Sequence, residues 1–133
     1  MTMNRFADGR KAHLRLGKFG EDTAVRLLKI KGYHILARNF KLKSGELDIV
    51  ALDGATVVFV EVKTRRQNRF YAPGANLSFR QMKRNFNTGK IYLSLFNIPE
   101  AACRFDLIEV TVARTSVRKI LSVIHSTNIL MHR

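Results

Sequence analysis

The stretch that most narrows what this chain can fold into is Gly45-Glu46-Leu47-Asp48-Ile49-Val50-Ala51-Leu52, then Asp53-Gly54, then Thr56-Val57-Val58-Phe59-Val60-Glu61-Val62-Lys63-Thr64-Arg65. Both flanking segments are rich in β-branched and aromatic residues. Asp-Gly between them signals a tight turn, so the stretch predicts a β-hairpin. Side chains alternate faces along a strand. Val58, Val60 and Val62 therefore share one face, and Glu61 and Lys63 share the other with Val57 and Phe59. On the first strand Leu47, Ile49 and Ala51 fall on one face, Glu46 and Asp48 on the other. A two-residue loop at Asp53-Gly54 pairs Glu46 with Glu61. Moving the loop by one residue at each end pairs Asp48 with Glu61 and Glu46 with Lys63. Any loop of even length gathers the polar set on one face, whereas an odd one would separate Asp48 from Glu61.

Like charges on a half-buried face are costly unless something compensates them. For Glu46, a solvated face with ordinary salt bridges is the better account. Asp48, Glu61 and Lys63 have apolar neighbours on that face, and a divalent cation explains them better. Mg2+ takes carboxylate oxygens and keeps several of its waters.

A chain of 133 residues predicts one domain, large enough for a real core. Its 24 Lys and Arg against 10 Asp and Glu leave a formal charge of +14. Such an excess points to a polyanionic partner, either nucleic acid or an anionic membrane surface. The single cysteine, Cys103, excludes an internal disulfide and reads as a small buried hydrophobe. There is no apolar run for a signal peptide and none that could span a bilayer, so the expectation is a cytoplasmic protein. His13, His34, His125 and His132 lack metal-ligand spacing, which argues against a zinc site.

Along the chain, Met1 to about His13 is polar and basic and reads as a loose arm, either uninvolved or in contact with a polyanion's backbone. Leu16 to Lys31 has helical periodicity, with Gly32 as its stop. Glu21 projects from the apolar side of that helix. It either complements the helix dipole or points over the sheet toward the other carboxylates. Tyr33 to Phe40 reads as a strand. After the hairpin, the segment from Arg65 to Gly74 is a loop by its Pro-Gly pair, and it interleaves Arg65, Arg66 and Arg69 with Phe70 and Tyr71. That mixture suits phosphate contact and base stacking, or simply a solvated loop whose rings pack on the core. Ser78 and Gln81 form a capping box for a second helix. Its Arg80, Lys83 and Arg84 make a basic face, open either to solvent or to phosphates. Arg104 to Val112 and Val117 to His125 read as a fourth and a fifth strand, and the tail from about residue 126 to 133 as frayed.

An acid on the first helix, an aspartate on one strand and Glu-x-Lys on the next together resemble the PD-(D/E)xK nuclease superfamily. More closely, Gly17-x-x-Gly20-Glu21, Arg38-Asn39-Phe40, Gly45-Glu46-Leu47-Asp48, Phe59-Val60-Glu61-Val62-Lys63-Thr64-Arg65 and Arg104-Phe105-Asp106 are similar to the bacterial YraN-type family (UPF0102). That family is related to archaeal Holliday-junction resolvases. The similarity runs from about Gly17 to Ile124 and departs from the superfamily pattern in having Leu47, not proline, before Asp48. The resemblance implies a restriction-endonuclease-like αβββαβ core, a central mixed sheet flanked by helices. It implies that Asp48, Glu61 and the Val62 carbonyl ligate Mg2+ or Mn2+, with Glu21 completing the site directly or through water. Lys63 would stabilise the transition state electrostatically, while Arg65, Arg66, Arg69, Tyr71, Arg80, Lys83 and Arg84 hold nucleic acid. The activity expected is metal-dependent, structure-selective DNA cleavage, on branched or duplex DNA and in a homodimer if the substrate is a four-way junction. Two alternatives stand beside it: a catalytically silent nucleic-acid-binding protein on the same fold, and a basic protein docking on RNA or a ribonucleoprotein.

Overall fold

The computed structural model describes residues 5–68, 77–99, 102–116 and 118–130. The elements run α1 (Arg5–Ile30), β1 (His34–Leu42), β2 (Gly45–Asp53), β3 (Thr56–Arg66), α2 (Phe79–Leu95), β4 (Cys103–Val112) and β5 (Ile120–Ser126). Five strands form one sheet in the order β1-β2-β3-β4-β5. The β3–β4 pair is parallel and the other three pairs are antiparallel. The parallel pair needs a crossover, and α2 supplies it. This is the restriction-endonuclease-like core expected, with β5 added at one edge.

The helices cover opposite faces. On the α1 side, Ala24, Val25 and Leu28 pack on Ile49, Ala51, Val58, Val60, Ile108 and Val110. On the α2 side, Met82, Phe86, Tyr92 and Leu93 pack on Val50, Val57, Phe59 and Phe105. Phe59 and Phe105 are almost wholly buried, each contributing roughly 2–3 kcal/mol by leaving water. Close approach needs a missing side chain at two points. A Cβ on Gly89 would lie 2.6 Å from the Phe59 ring, and one on Gly20 would run into Thr64 of β3.

The hairpin settles the register left open by the sequence. Asp53 pairs with Thr56 and Ile49 with Val60, so the loop is Gly54-Ala55. Gly54 has φ +59 while Ala55 does not have a positive φ, as a type II′ hairpin requires. Helix ends also follow local rules. Ser78 Oγ accepts from the Gln81 N–H at 3.2 Å. Gly32, at φ +90, ends α1, with the Tyr33 N–H reaching back to the Leu28 carbonyl at 2.9 Å.

Three expectations need correction. Residues 5–13, read as a loose arm, are the opening turns of α1, because their straight-chain residues and alanines are good helix formers. Residues 126–130, read as frayed, are ordered. Ser126 ends β5, the Asn128 N–H binds Asp106, the Ile129 N–H binds the Phe105 carbonyl, and Ile129 and Leu130 pack on the α2-side core. Leu47 joins Val50 in the α2-side core instead of sharing a face with Ile49 and Ala51. Strict alternation forbids that placement for residues three apart, so β2 rotates about its own axis between Leu47 and Val50.

Candidate active site at the parting of two strands

The pairing of β2 with β3 stops at Ile49–Val60. Beyond that point β2 stays paired with β1 down to Gly45, and β3 stays paired with β4 up to Arg66. The two strands therefore part, and the backbone groups lining the fork need other partners. Asp48 supplies one: its Oδ2 accepts the Val62 N–H at 2.9 Å. Continuing the register would set Asp48 opposite Glu61, so the fork opens with those two carboxylates at its apex. Lys63 follows two residues along β3, half-buried.

From the α2 side, Asn85 fills the fork. It is buried, its Oδ1 accepts the Glu46 N–H at 3.1 Å, and its Nδ2 donates to Glu61 Oε1 at 3.4 Å. The approach is close because β2 begins with glycine: a Cβ on Gly45 would lie 2.6 Å from Asn85 Oδ1 and 2.8 Å from Thr88 Oγ1. From the α1 side, the Gly20–Thr64 contact brings the helix down on β3 and sets Glu21 above the sheet. Glu21 Oε1 is buried and has no hydrogen-bond partner among the described residues. Asn39 sits at φ +54 in β1, a conformation asparagine tolerates better than most residues. It and Arg38 act on the Glu21 carboxyl.

The electrostatics of the three acids agree. Burial pushes Glu21 above the usual carboxylate range, and the charge of Asp48 adds to the rise against the opposing pull of Arg38. Burial also raises Asp48, opposed by the Val62 hydrogen bond and reinforced by Glu46. Glu61 is raised by burial and by Asp48, with Lys63 and the Asn85 hydrogen bond opposing. Each of these acids is thus held where its charge is disfavoured.

Among the described residues no group of three His, Cys, Asp or Glu side chains is gathered closely enough to hold a metal ion. Two carboxylates suffice for Mg2+, which retains water in its remaining positions. Asp48 keeps Oδ1 and Glu61 keeps Oε2 for such a role, and both are hard oxygen donors. The unpaired Glu21 Oε1 suits a hydrogen bond from a metal-bound water. The donor set therefore fits the group that the sequence resemblance implies.

The remaining predicted residues divide. Arg80, Lys83 and Arg84 are exposed on α2. Arg65 and Arg66, expected to open a loop, are instead the last residues of β3, because β4 keeps pairing with them through Thr111 and Val112; Arg65 is half-buried, and Arg66 is exposed and donates to the Arg114 carbonyl at 3.2 Å. Arg69 and Tyr71 lie outside the described residues. Glu46 is exposed, 4.0 Å from Lys41, in keeping with its reading as a solvated ion pair. The sequence reading missed Asn85, although its place between Met82 and Phe86 on the apolar stripe of α2 was a signal. It also missed Glu109, buried on β4 directly beside Lys63 in the parallel register. A third omission is the buried network around Asp106. His125 Nε2 lies 2.8 Å from Asp106 Oδ2, Arg104 Nε donates to Oδ1 at 3.0 Å, and Arg104 also reaches Asp53 and the Tyr33 hydroxyl.

Fold and site together define a mixed-sheet α/β domain with a pair of carboxylates where its central strands part. The chain belongs to the family described as "Uncharacterised protein family UPF0102", whose profile matches residues 20–110. It is 42% identical over 96 residues to UPF0102 protein STH1475 of Symbiobacterium thermophilum, covering 72% of this chain and 81% of the relative. It is 41% identical over 95 residues to a UPF0102 protein of Caldicellulosiruptor saccharolyticus, covering 71% and 80%. With a UPF0102 protein of a Janthinobacterium strain it shares 37% identity over 108 residues, covering 81% and 87%.

Proposed function

We propose that the protein is a metal-dependent, structure-selective DNA endonuclease. The observation that carries this reading is the fork itself. Asp48 and Glu61 are held at the parting of β2 and β3 with Lys63 beside them, and a third acid, Glu21, has a buried oxygen without a partner among the described residues. Asp48, Glu61 and the Val62 carbonyl would hold Mg2+ or Mn2+, which supplies an activated water and charge stabilisation at the phosphorus. Asn85 fixes the Glu61 carboxylate. Lys63 offsets the charge that develops as the phosphate is attacked. The basic residues of α2 and of the end of β3 hold the strand through its phosphates. The superfamily resemblance and the net charge of +14 support the same reading.

A second reading has its own observation. Asp48 and Glu61 are each engaged within the fold, by the Val62 N–H and by Asn85, while Arg80, Lys83 and Arg84 are exposed, so the same surface also suits a protein that binds nucleic acid without cutting it.

One experiment separates the two. Wild type, Asp48→Asn, Glu61→Gln and Lys63→Ala are titrated in EDTA against one labelled DNA, then assayed with Mn2+ on duplex, single-stranded, branched and RNA substrates. In EDTA the first two variants should bind about fivefold tighter, since removing one repelling charge recovers on the order of 1 kcal/mol, and Lys63→Ala should bind more weakly. All three should fail to cut. Wild type that binds and never cuts selects the second reading. Variants that bind and cut like wild type remove the carboxylates from any site.

A further inference from the structure

Beside the carboxylates lies a second feature that the proposed chemistry does not use. An open cavity of about 400 Å³ is lined by Phe19, Asp22, Val25, Arg26, Arg38 and Arg118. Phe19, Asp22 and Arg26 recur at helical spacing along α1, Arg38 comes from β1, and Arg118 comes from the turn before β5. Three arginines face one acid. Arg38 donates to Asp22 Oδ1 at 2.7 Å, and Lys18 reaches Oδ2 at 3.2 Å from outside the lining. Among the described residues Arg26 makes a single, long 3.5 Å contact, with Thr23 Oγ1.

Three sources of positive charge converging from separate elements repel one another, and a single carboxylate leaves the cavity with a formal surplus of two charges. Guanidinium groups present a planar fork of donors that matches phosphate oxygens. The apolar part of the lining, Phe19 and Val25, suits a sugar or a base face adjoining such a phosphate. Arg38 links the cavity to the carboxylates, because it lines the one and its charge acts on Glu21 of the other.

We infer that this cavity is a phosphate seat: it takes one phosphate of a nucleic-acid strand whose neighbouring segment passes the Asp48–Glu61 fork. The inference rests on the proposed function only in taking nucleic acid as the partner. A surplus of two charges balances a terminal phosphomonoester, which carries between about −1.5 and −2 at neutral pH. An internal phosphodiester, with a single charge, fills the same seat less completely. The shared chemistry is a phosphate oxygen on the arginine fork.

The test uses Arg26→Gln, Arg118→Gln and the double variant, with Lys29→Gln on the exposed last turn of α1 as a control matched in charge to each single variant. Binding is measured in EDTA, so that cleavage plays no part, to a 5′-phosphorylated single strand and to its 5′-hydroxyl counterpart across a salt series. Inorganic phosphate is titrated separately by following the backbone amides of residues 19–26. The double variant should lose about tenfold in affinity, the loss expected of one charge-assisted phosphate contact. Its salt slope should fall by about 0.7, the single-strand value for one phosphate, and Lys29→Gln should change neither. A loss confined to the 5′-phosphorylated strand identifies the terminal phosphate as occupant, and an equal loss on both identifies an internal one. If the double variant matches the control on both strands and inorganic phosphate leaves the amides of residues 19–26 unmoved, the seat does not exist. That outcome leaves the nuclease reading untouched, since it is judged by cleavage in Mn2+, and absence of cleavage leaves the seat to be judged by binding.

Discussion

At Gly20 the absence of a side chain decides how α1 meets the sheet. Any Cβ there collides with Thr64, so Gly20→Ala must push the helix away from β3 and carry Glu21 with it. Overpacking of this kind costs about 1–3 kcal/mol. Thr64→Ala should restore part of the loss when combined with Gly20→Ala, because it removes the hydroxyl and methyl that the new Cβ meets. Thermal unfolding of the two single variants and the double checks this, and strict additivity would show that the contact does not matter. Asn85 makes a second case. Asn85→Ala leaves the Glu46 N–H without its acceptor and Glu61 without its donor, and it should destabilise the fold by about 1–3 kcal/mol. Neither residue's role was open to sequence reading in the same degree. Glycine followed by Glu21 was visible as a motif, but that Thr64 stands opposite requires knowing how α1 crosses the sheet. Asn85 was visible as a polar residue on an apolar stripe, with nothing in sequence to say that a backbone N–H of β2 and the Glu61 carboxylate would need it.

At the scale of elements, the hairpin was legible because alternation and an Asp-Gly pair act locally. Which of two registers it adopts was not, since both gather the same acids on one face. The parting of β2 from β3 lay further from view, because it depends on β1 and β4 holding their own partners after the central ladder stops. That parting has an energetic signature. Glu21, Asp48 and Glu61 have carboxyl groups raised above their ordinary range. A raised acid contributes stability that is present below its unfolded pKa and lost as pH rises through the folded value. At neutral pH these acids therefore weigh against folding, and Asp48→Asn or Glu61→Gln should raise the melting temperature in EDTA by roughly 3–6 °C, taking about 1 kcal/mol per relieved charge. Mg2+ should stabilise wild type more than either variant. Asp106 behaves oppositely. Burial disfavours its charge, yet hydrogen bonds from His125, Arg104 and the Asn128 N–H hold it below the usual range. Its stability is present above the unfolded value, near 3.9, and is lost as pH falls through the folded one. Asp106→Asn should cost about 3–5 kcal/mol, as removal of one partner of a buried ion pair does, and should flatten the acid limb of the stability curve. Unfolding in urea at pH 7 and in a pH series below 4 measures both effects.

For the molecule as a whole, charge sets the behaviour. A formal +14 with no base-reading motif predicts phosphate-dominated, weakly sequence-selective binding. Log affinity should fall with log salt at about −0.9 per phosphate neutralised, and a nearly flat dependence on every nucleic acid tried would contradict it. No described helix is long and apolar enough to cross a membrane. The two rims of the sheet share a feature that bears on assembly. β1 is broken by a bulge between Ile35 and Ala37, and β5 by a register shift at Leu121, where Thr111 pairs with Ser122 and Val112 with Ile120. An interrupted rim resists strand addition. Neither border of this sheet therefore offers a second chain an unbroken row of backbone groups to pair with. Copies of the protein that meet must do so through side chains, and a sheet running continuously from one copy into the next is not among the ways they can join.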